Sequence, residues 1–572
     1  MFARRILLAL AAMLGLLAAA PSELPNKPRH PQSPGTVSAR TPADLVILNA
    51  HIYTATTPLR VQAMAVSQGR IVALGSNQKV TPWMGPHTVV WDLPDRAIVP
   101  GLIDSHGHMS SLGEKLSTLD LTGTKSYGEI VTRCLKRSAD LARGEWLIGQ
   151  GWDQNDWAGQ EMPNHQPLSS AIPDRPVSLE RIDGHALLVN RMALQRAGIT
   201  KTTPDPPGGR IERDARGEPT GVLIDNARDL VESKIPPPTA AEREHRLELA
   251  MRACAKAGLT MVHDAGIGRE ELAAYRALLA RNQFPIRIYA MARATDSLSL
   301  DLIKRGRILG DYFTLRAIKV IYDGALGSRG ALLSAAYSDR PGVIGLERFY
   351  ADSLARLAIR ARDAGLQMRV HAIGDLANTR VLDAYEQAFE HDPHPELRWA
   401  IEHCQVVQPR DITRFARLGI VASMQPTHAT SDAPWAQKRL GPKRIAWAYA
   451  WRKFFRAGVR FAGGSDFPVE SERPLLGIYA AMTRRDPEGK LPKDGWRPEE
   501  KLTRDEALRA FTIAGATLAF QERDLGSLEV NKLADFVVLD PDPFEGRPEG
   551  LLGALVMKTV VGGRVVWDAE HP

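Results

Sequence analysis

Residues 100–108 read PGLIDSHGH: a short apolar run that turns polar at its C-terminal end and closes on two histidines one residue apart. Further short strand-like runs follow as LTMVHDA (259–265), IRIYAMA (286–292), LRAIKVIYDG (315–324), QMRVHAIGD (367–375), RWAIEHCQ (398–405), IVASMQP (420–426) and RFAGGSD (460–466). Helix-patterned stretches such as AAEREHRLELAMRACAKAG (240–258) and YADSLARLAIRARDAG (350–365) stand before several of these runs. Apolar strands alternating with amphipathic helices are the signature of a parallel sheet, and eight such units predict an α/β fold, a (β/α)8 TIM barrel, over residues 99–520. A long insertion, residues 110–238, separates the first strand from the second and is expected to cover the barrel mouth.

Outside the barrel both ends are β-rich. DLVILNAHIYTA and its neighbours fill residues 44–98, and LGSLEVNKLADFVVLDPDPFEG and LVMKTVVGGRVVWD fill residues 521–572. Neither end alone buries much surface, so they are expected to pair as one small β-sandwich formed from both chain ends. At the start, Arg4 and Arg5 precede the apolar run ILLALAAMLGLLAAA, so residues 1–20 read as a signal peptide or N-terminal anchor. The Pro-rich residues 21–43 read as a tether. The chain is therefore expected to be exported, periplasmic or secreted, with membrane attachment only through an uncleaved N-terminal segment.

A net charge of +7 over 572 residues is a slight excess, with no dense basic block carrying interleaved aromatics, which argues against a nucleic-acid surface. Self-association into a homo-oligomer is left open. Cys134, Cys254 and Cys404 form no C-x-x-C pair and read as buried free thiols rather than a disulfide framework.

The chemistry is carried by what ends the strands. His106 and His108 close the first, Lys319 lies in the fourth, and His371, His403 and Asp466 close the fifth, sixth and eighth. The C-terminal rim is where barrel enzymes build their sites, so these side chains are expected to converge. Imidazoles with a carboxylate suit zinc and its first-row neighbours rather than calcium or magnesium. Lys319 is the odd member: an ammonium beside a dication is repelled, so it is deprotonated, displaced, or converted by CO2 into an anionic carbamate. Paired with an acid such as Asp323, it would be an ordinary strand-end lysine.

Together PGLIDSHGH, KVIYDGALGSRG, VHAIGD, IEHCQ and GGSDFPV resemble the amidohydrolase superfamily, and most closely its amidohydrolase-3 branch, which includes N-substituted formamide deformylase-like proteins. The likeness runs from about Asp44 to Asp568 and includes GWDQNDW, DGHALLVNRMAL and GEPTGVLIDNA. The resemblance implies that His106, His108 and Asp466 hold one divalent metal ion and His371 and His403 a second. Lys319, as carboxylysine, would bridge the two; a one-metal site with unmodified Lys319 is the simpler variant. It implies a metal-activated hydroxide as nucleophile, with Asp466 taking the water proton and passing it to the leaving amine. The catalytic pair is then Asp466 and Lys319, and the substrate a small molecule of amide type cut at its C–N bond. Trp152, Asp153, His185, Asp323, Arg329 and His428 are expected to line the substrate pocket. An ester or cyclic amide as substrate, or a catalytically retired binding or regulatory protein on the same scaffold, are the competing readings.

Overall fold

The computed structural model describes residues 41–571 except 183, 184 and 391; the leader and nearly all of the tether fall outside the described residues. Eight parallel strands, Leu102–Gly107, Leu259–Ile267, Arg287–Arg293, Phe313–Ile321, Gln367–Ala372, Ala400–His403, Val421–Met424 and Phe461–Gly463, pair in chain order as the predicted barrel. Alternate residues of the strands point inward, because the side-chain period of a strand is two. Ile103, Met261, Ala265, Tyr289, Met291 and Ala317 form one buried cluster with Ala516, Ala519 and Leu525. That parity also directs His263, Lys319 and Ile321 inward. The first and eighth strands meet through short links rather than a ladder. The Asp104 carboxylate accepts from the Ser465 backbone N–H (3.1 Å) and hydroxyl (2.6 Å), and the Asp466 N–H donates to the His106 carbonyl (2.7 Å).

Local chemistry sets the connections. The helix Pro409–Leu418 opens with a proline, whose missing N–H costs nothing in a first turn, and stops at Gly419 with φ 70°. The helix Pro426–Arg444 likewise begins on proline directly after the seventh strand. This places residues 425–432 immediately beyond the C-terminal ends of the strands.

The chain ends do pair. Phe536–Asp540 runs antiparallel to Ala97–Pro100 within a six-stranded sheet, with Val537 opposite Val99. A four-stranded sheet carries Leu45–Leu48, Ala63–Ser67, Arg70–Gly75 and Val89–Asp92. Ile47, Met64 and Val66 of this sheet bury against Ile52, Ile98, Phe536 and Val560 of the other, which makes a sandwich. A buried ion pair, Arg287 Nε to Asp535 Oδ2 at 2.8 Å, joins the third barrel strand to the C-terminal segment.

Residues 108–253, with 467–469, form a second compact unit. Its six-stranded sheet orders Gly209–Arg213, Pro219–Asp225, Ala186–Val189, Val177–Arg181, Leu147–Trp152 and Leu119–Asp120. Leu188 and Val222 join one apolar cluster with Trp152, while their neighbours Leu187 and Leu223 join another with Trp146, so both faces of the sheet are covered. Cys134, Cys254 and Cys404 are buried free thiols. Among the described residues no helix is long and apolar enough to cross a membrane.

Candidate metal centre and active site

His106, at the end of the first barrel strand, is buried and held from both sides. Its Nδ1 lies 2.5 Å from Glu402 Oε2, its Nε2 3.5 Å from Asp466 Oδ1, and Lys319 Nζ is 3.2 Å from the same Nε2. The His403 ring centre lies 4.8 Å from that of His106, tilted at 55°, and 4.4 Å from that of His371, edge-on at 67°, and His403 Nδ1 meets Gln425 Oε1 at 2.8 Å. Potential ligand atoms of His106, His403 and Asp466 all lie within 4.8 Å of one another. His371 Nε2 is buried, makes no hydrogen bond, and faces Asp323 Oδ1 at 3.4 Å.

Strand alternation alone would not bring His403 here. In register, Glu402 pairs with His371 and His403 with Ala372, so Glu402 is the inward residue. His403 adopts φ 74° and Cys404 φ 45°, and this left-handed turn breaks the alternation and redirects the imidazole. Asp466, also left-handed at φ 63°, leaves the eighth strand in the same manner.

The protonation states fit a metal. Burial, reinforced by Lys319, lowers His106 to about 4, and burial with His371 and His106 beside it pushes His403 well below the usual imidazole range. Both rings are therefore neutral at neutral pH. Glu402 is an acceptor only: burial alone would raise it, but Arg369, His106 and Lys319 together hold it well below the ordinary carboxylate range. His106 must then carry its proton on Nδ1, and Gln425 Oε1 dictates the same for His403, leaving each Nε2 lone pair for a cation. Burial lowers Lys319 to about 8, against the opposing pull of Glu402 and Asp466, so a neutral amine is accessible for carbamylation. Neutral imidazoles, a carboxylate and a lysine that can shed its proton make a donor set that suits zinc-like dications.

Several supporting residues were not singled out by sequence reasoning. Arg369 is fully buried and donates to Glu402, to the Ser105 carbonyl (2.9 Å) and toward His263 Nδ1 (3.3 Å). Asp104 accepts from the His106 N–H at 2.9 Å, and burial raises it to about 7. The available signal was parity: Arg369 precedes His371 by two residues, and Glu402 is opposite it.

Residues 89–567 match the amidohydrolase family over most of the chain. The chain belongs to that family. The putative amidohydrolase YtcJ of Bacillus subtilis (strain 168) is 35% identical over 89% of this chain and 96% of its own. N-substituted formamide deformylase of Arthrobacter pascens is 28% identical over 91% of this chain and 97% of its own. An uncharacterized metal-dependent hydrolase from Pyrococcus furiosus superposes with a TM-score of 0.73 at 28% identity, covering 88% of this chain and 100% of that one.

In this amidohydrolase the expected pocket residues divide. His428 is buried in the first turn of Pro426–Arg444 with its Nε2 3.8 Å from Asp466 Oδ2. Asp323 staples loops beside His371: its buried carboxylate accepts from the N–H groups of Leu332 (2.9 Å), Ile373 (3.0 Å) and Gly374 (2.9 Å). Arg329 pairs with Asp339 at 2.9 Å. In the second unit Trp152 is fully buried and donates its Nε1 hydrogen to the Leu179 carbonyl at 2.9 Å, so it is a core residue and not a pocket wall. Asp153 caps Gln154–Asp156 and pairs with Arg181 at 2.7 Å. His185 is exposed and pairs with Asp225 at 2.8 Å. His108 heads the helix Met109–Ser117, half-buried, its N–H on the Phe467 carbonyl at 2.9 Å. Ile321, on the inward face two residues beyond Lys319 and in register with His371, is 45% exposed, an apolar surface that sequence reading overlooked.

Proposed function

We propose that this amidohydrolase hydrolyses a C–N bond in a small-molecule amide, N-acyl or N-formyl substrate. The observation that carries the reading is the pair of neutral imidazoles whose Nδ1 atoms are held by Glu402 and Gln425 while Lys319 and Asp466 stand at His106 Nε2. When bound, one or two divalent ions, zinc by the donor chemistry, supply the Lewis acidity that polarises a carbonyl and makes water nucleophilic near neutral pH. His106, His371, His403 and Asp466 would hold them, with carbamylated Lys319 as the anionic bridge; His108 joins this set on its H-x-H spacing alone. Glu402 and Gln425 fix the imidazole tautomers. Asp466 receives the proton of the attacking water and returns it to the departing nitrogen, without which an amine is a poor leaving group.

The experiment is metal analysis of protein produced with zinc and bicarbonate, followed by assay on matched N-formyl, N-acyl, ester and cyclic amide substrates. Release of amine from the acyl amides supports the reading. Turnover of esters or cyclic amides alone, tight binding without turnover, or protein lacking a transition metal each overturns it. We further propose export, on the strength of the N-terminal leader; recovery of the full-length product only in the cytoplasm of the producing cell refutes this.

A further inference from the structure

The end of the barrel away from the metal centre holds an apolar cavity that the proposed reaction does not use. It lies where the seventh and eighth strands begin, at Val421 and Phe461, against the helices Arg504–Ala510 and Ile513–Leu518. Its volume is about 220 Å³, and Phe455, Phe461, Ile513, Ala514 and Leu518 line it. An apolar cavity of about 150 Å³ takes a benzene ring, so this one has room for a ring and a short substituent.

Four charged side chains share the wall: Arg398, Arg460, Glu506 and Arg509. Two of them are already neutralised. Arg398 donates to both oxygens of Glu522 (2.8 and 2.7 Å), and Arg452 donates to both oxygens of Glu506 (2.8 and 2.7 Å). Arg460 and Arg509 are bonded to carbonyls instead. Arg460 Nη2 donates to Gly419 (3.0 Å) and Pro395 (3.3 Å), and Arg509 Nη1 donates to Ala55 at 2.5 Å. Among the described residues neither guanidinium forms an ion pair with a carboxylate. A carbonyl accepts a hydrogen bond but carries no charge, so each guanidinium keeps its full positive charge and further N–H donors. Burial, with Arg398 nearby, lowers Arg460 below its ordinary value against the pull of Glu522, as befits a cation short of a counter-ion.

We propose that this cavity is a second binding site, separate from the metal centre, for a small apolar monocarboxylate. Its aryl or branched alkyl body rests on Phe455, Phe461 and Ala514, and its carboxylate accepts from Arg460 and Arg509. The parallel N–H groups of a guanidinium match the two oxygens of a carboxylate, and the apolar wall rewards a body without further polar groups. The metal ligands stand at the opposite ends of the same strands, so the assignment does not depend on which bond the metal centre cuts.

The test titrates phenylacetate calorimetrically into the metal-loaded full chain. Phenylacetamide serves as the uncharged isostere and inorganic phosphate as an anion without an apolar body. Phenylacetate is expected to bind at least about tenfold tighter than either, the weight of one hydrogen bond to a charged group. Arg460→Gln and Arg509→Gln should each weaken this binding by about tenfold or more, and Ala514→Leu should abolish it by filling the cavity. Carboxylate bound at the metal would be indifferent to all three changes, and such indifference overturns the proposal. Phenylacetamide binding as tightly as phenylacetate removes the role of the arginines, and phosphate binding as tightly removes that of the apolar wall; either result overturns it as well. Crystals of the unaltered full chain with 4-bromophenylacetate decide the position even where a variant fails to fold. Anomalous scattering should place bromine beside Phe461 and Ala514, and bromine found only at the metal centre, or nowhere, refutes the site.

Discussion

Replacing Glu402 by glutamine tests the centre through a residue that touches no substrate. Glu402 Oε2 holds His106 Nδ1 at 2.5 Å, and Oε1 accepts from the guanidinium of Arg369, both side chains being fully buried. Glutamine keeps the shape but has one acceptor and one donor end, so either His106 or Arg369 must face an N–H. If the amide turns its oxygen to His106, the ring keeps its tautomer but Arg369 becomes an uncompensated buried charge. Breaking such a pair costs about 3–5 kcal/mol. With a urea dependence of about 3 kcal/mol/M, the unfolding midpoint should fall by on the order of 1 M. If the oxygen turns to Arg369 instead, His106 loses the acceptor that orients it, and metal affinity should fall about 10- to 100-fold. Urea unfolding and chelator competition on the same preparation read the two branches separately. A variant with wild-type midpoint and wild-type metal affinity would refute the argument, because it would mean that neither the charge nor the imidazole orientation depends on Glu402.

Asp466→Asn should lower kcat by about 10²- to 10⁴-fold with an unchanged far-UV circular dichroism spectrum, since the Asp466 N–H to His106 carbonyl bond survives; near-wild-type turnover would remove Asp466 from proton transfer. Lys319 reacts with CO2 only as the neutral amine, and with its ammonium lowered to about 8 the neutral fraction rises with pH, from about one in a hundred at pH 6 to about half at pH 8. Bicarbonate-stimulated metal uptake should therefore be much faster at the higher pH and absent in Lys319→Met, and uptake indifferent to bicarbonate at both would count against a carbamate. Ile321→Asp should reduce kcat/KM for long apolar acyl groups by about tenfold or more while sparing the N-formyl analogue, because burying an isoleucine against substrate is worth about 1.5–3 kcal/mol. An equal loss on both substrates would show that Ile321 makes no selective contact.

The sequence by itself determined the architecture. Strand-then-helix alternation has few packed solutions, and polar residues at strand ends fall on one rim whatever the loops do, so His106, Lys319, His371, His403 and Asp466 were legible as a group. The β-rich ends were legible as partners for a similar reason: neither had enough apolar surface to stand alone. Only the tertiary structure decided what surrounds each of these side chains. Glu402 and Arg369 looked like ordinary strand residues, because their function lies in contacts between strands far apart in sequence, such as His106 with Glu402. The left-handed backbone at His403 and Cys404, which overrides strand alternation, has no residue-type signal, since neither is glycine. Trp152, Asp323 and Arg329 carried the right chemistry for a pocket, yet packing and local hydrogen bonds had already engaged them. A side chain's type is written in the sequence, but whether its polar atoms remain available for substrate depends on which partners the fold brings within hydrogen-bonding distance.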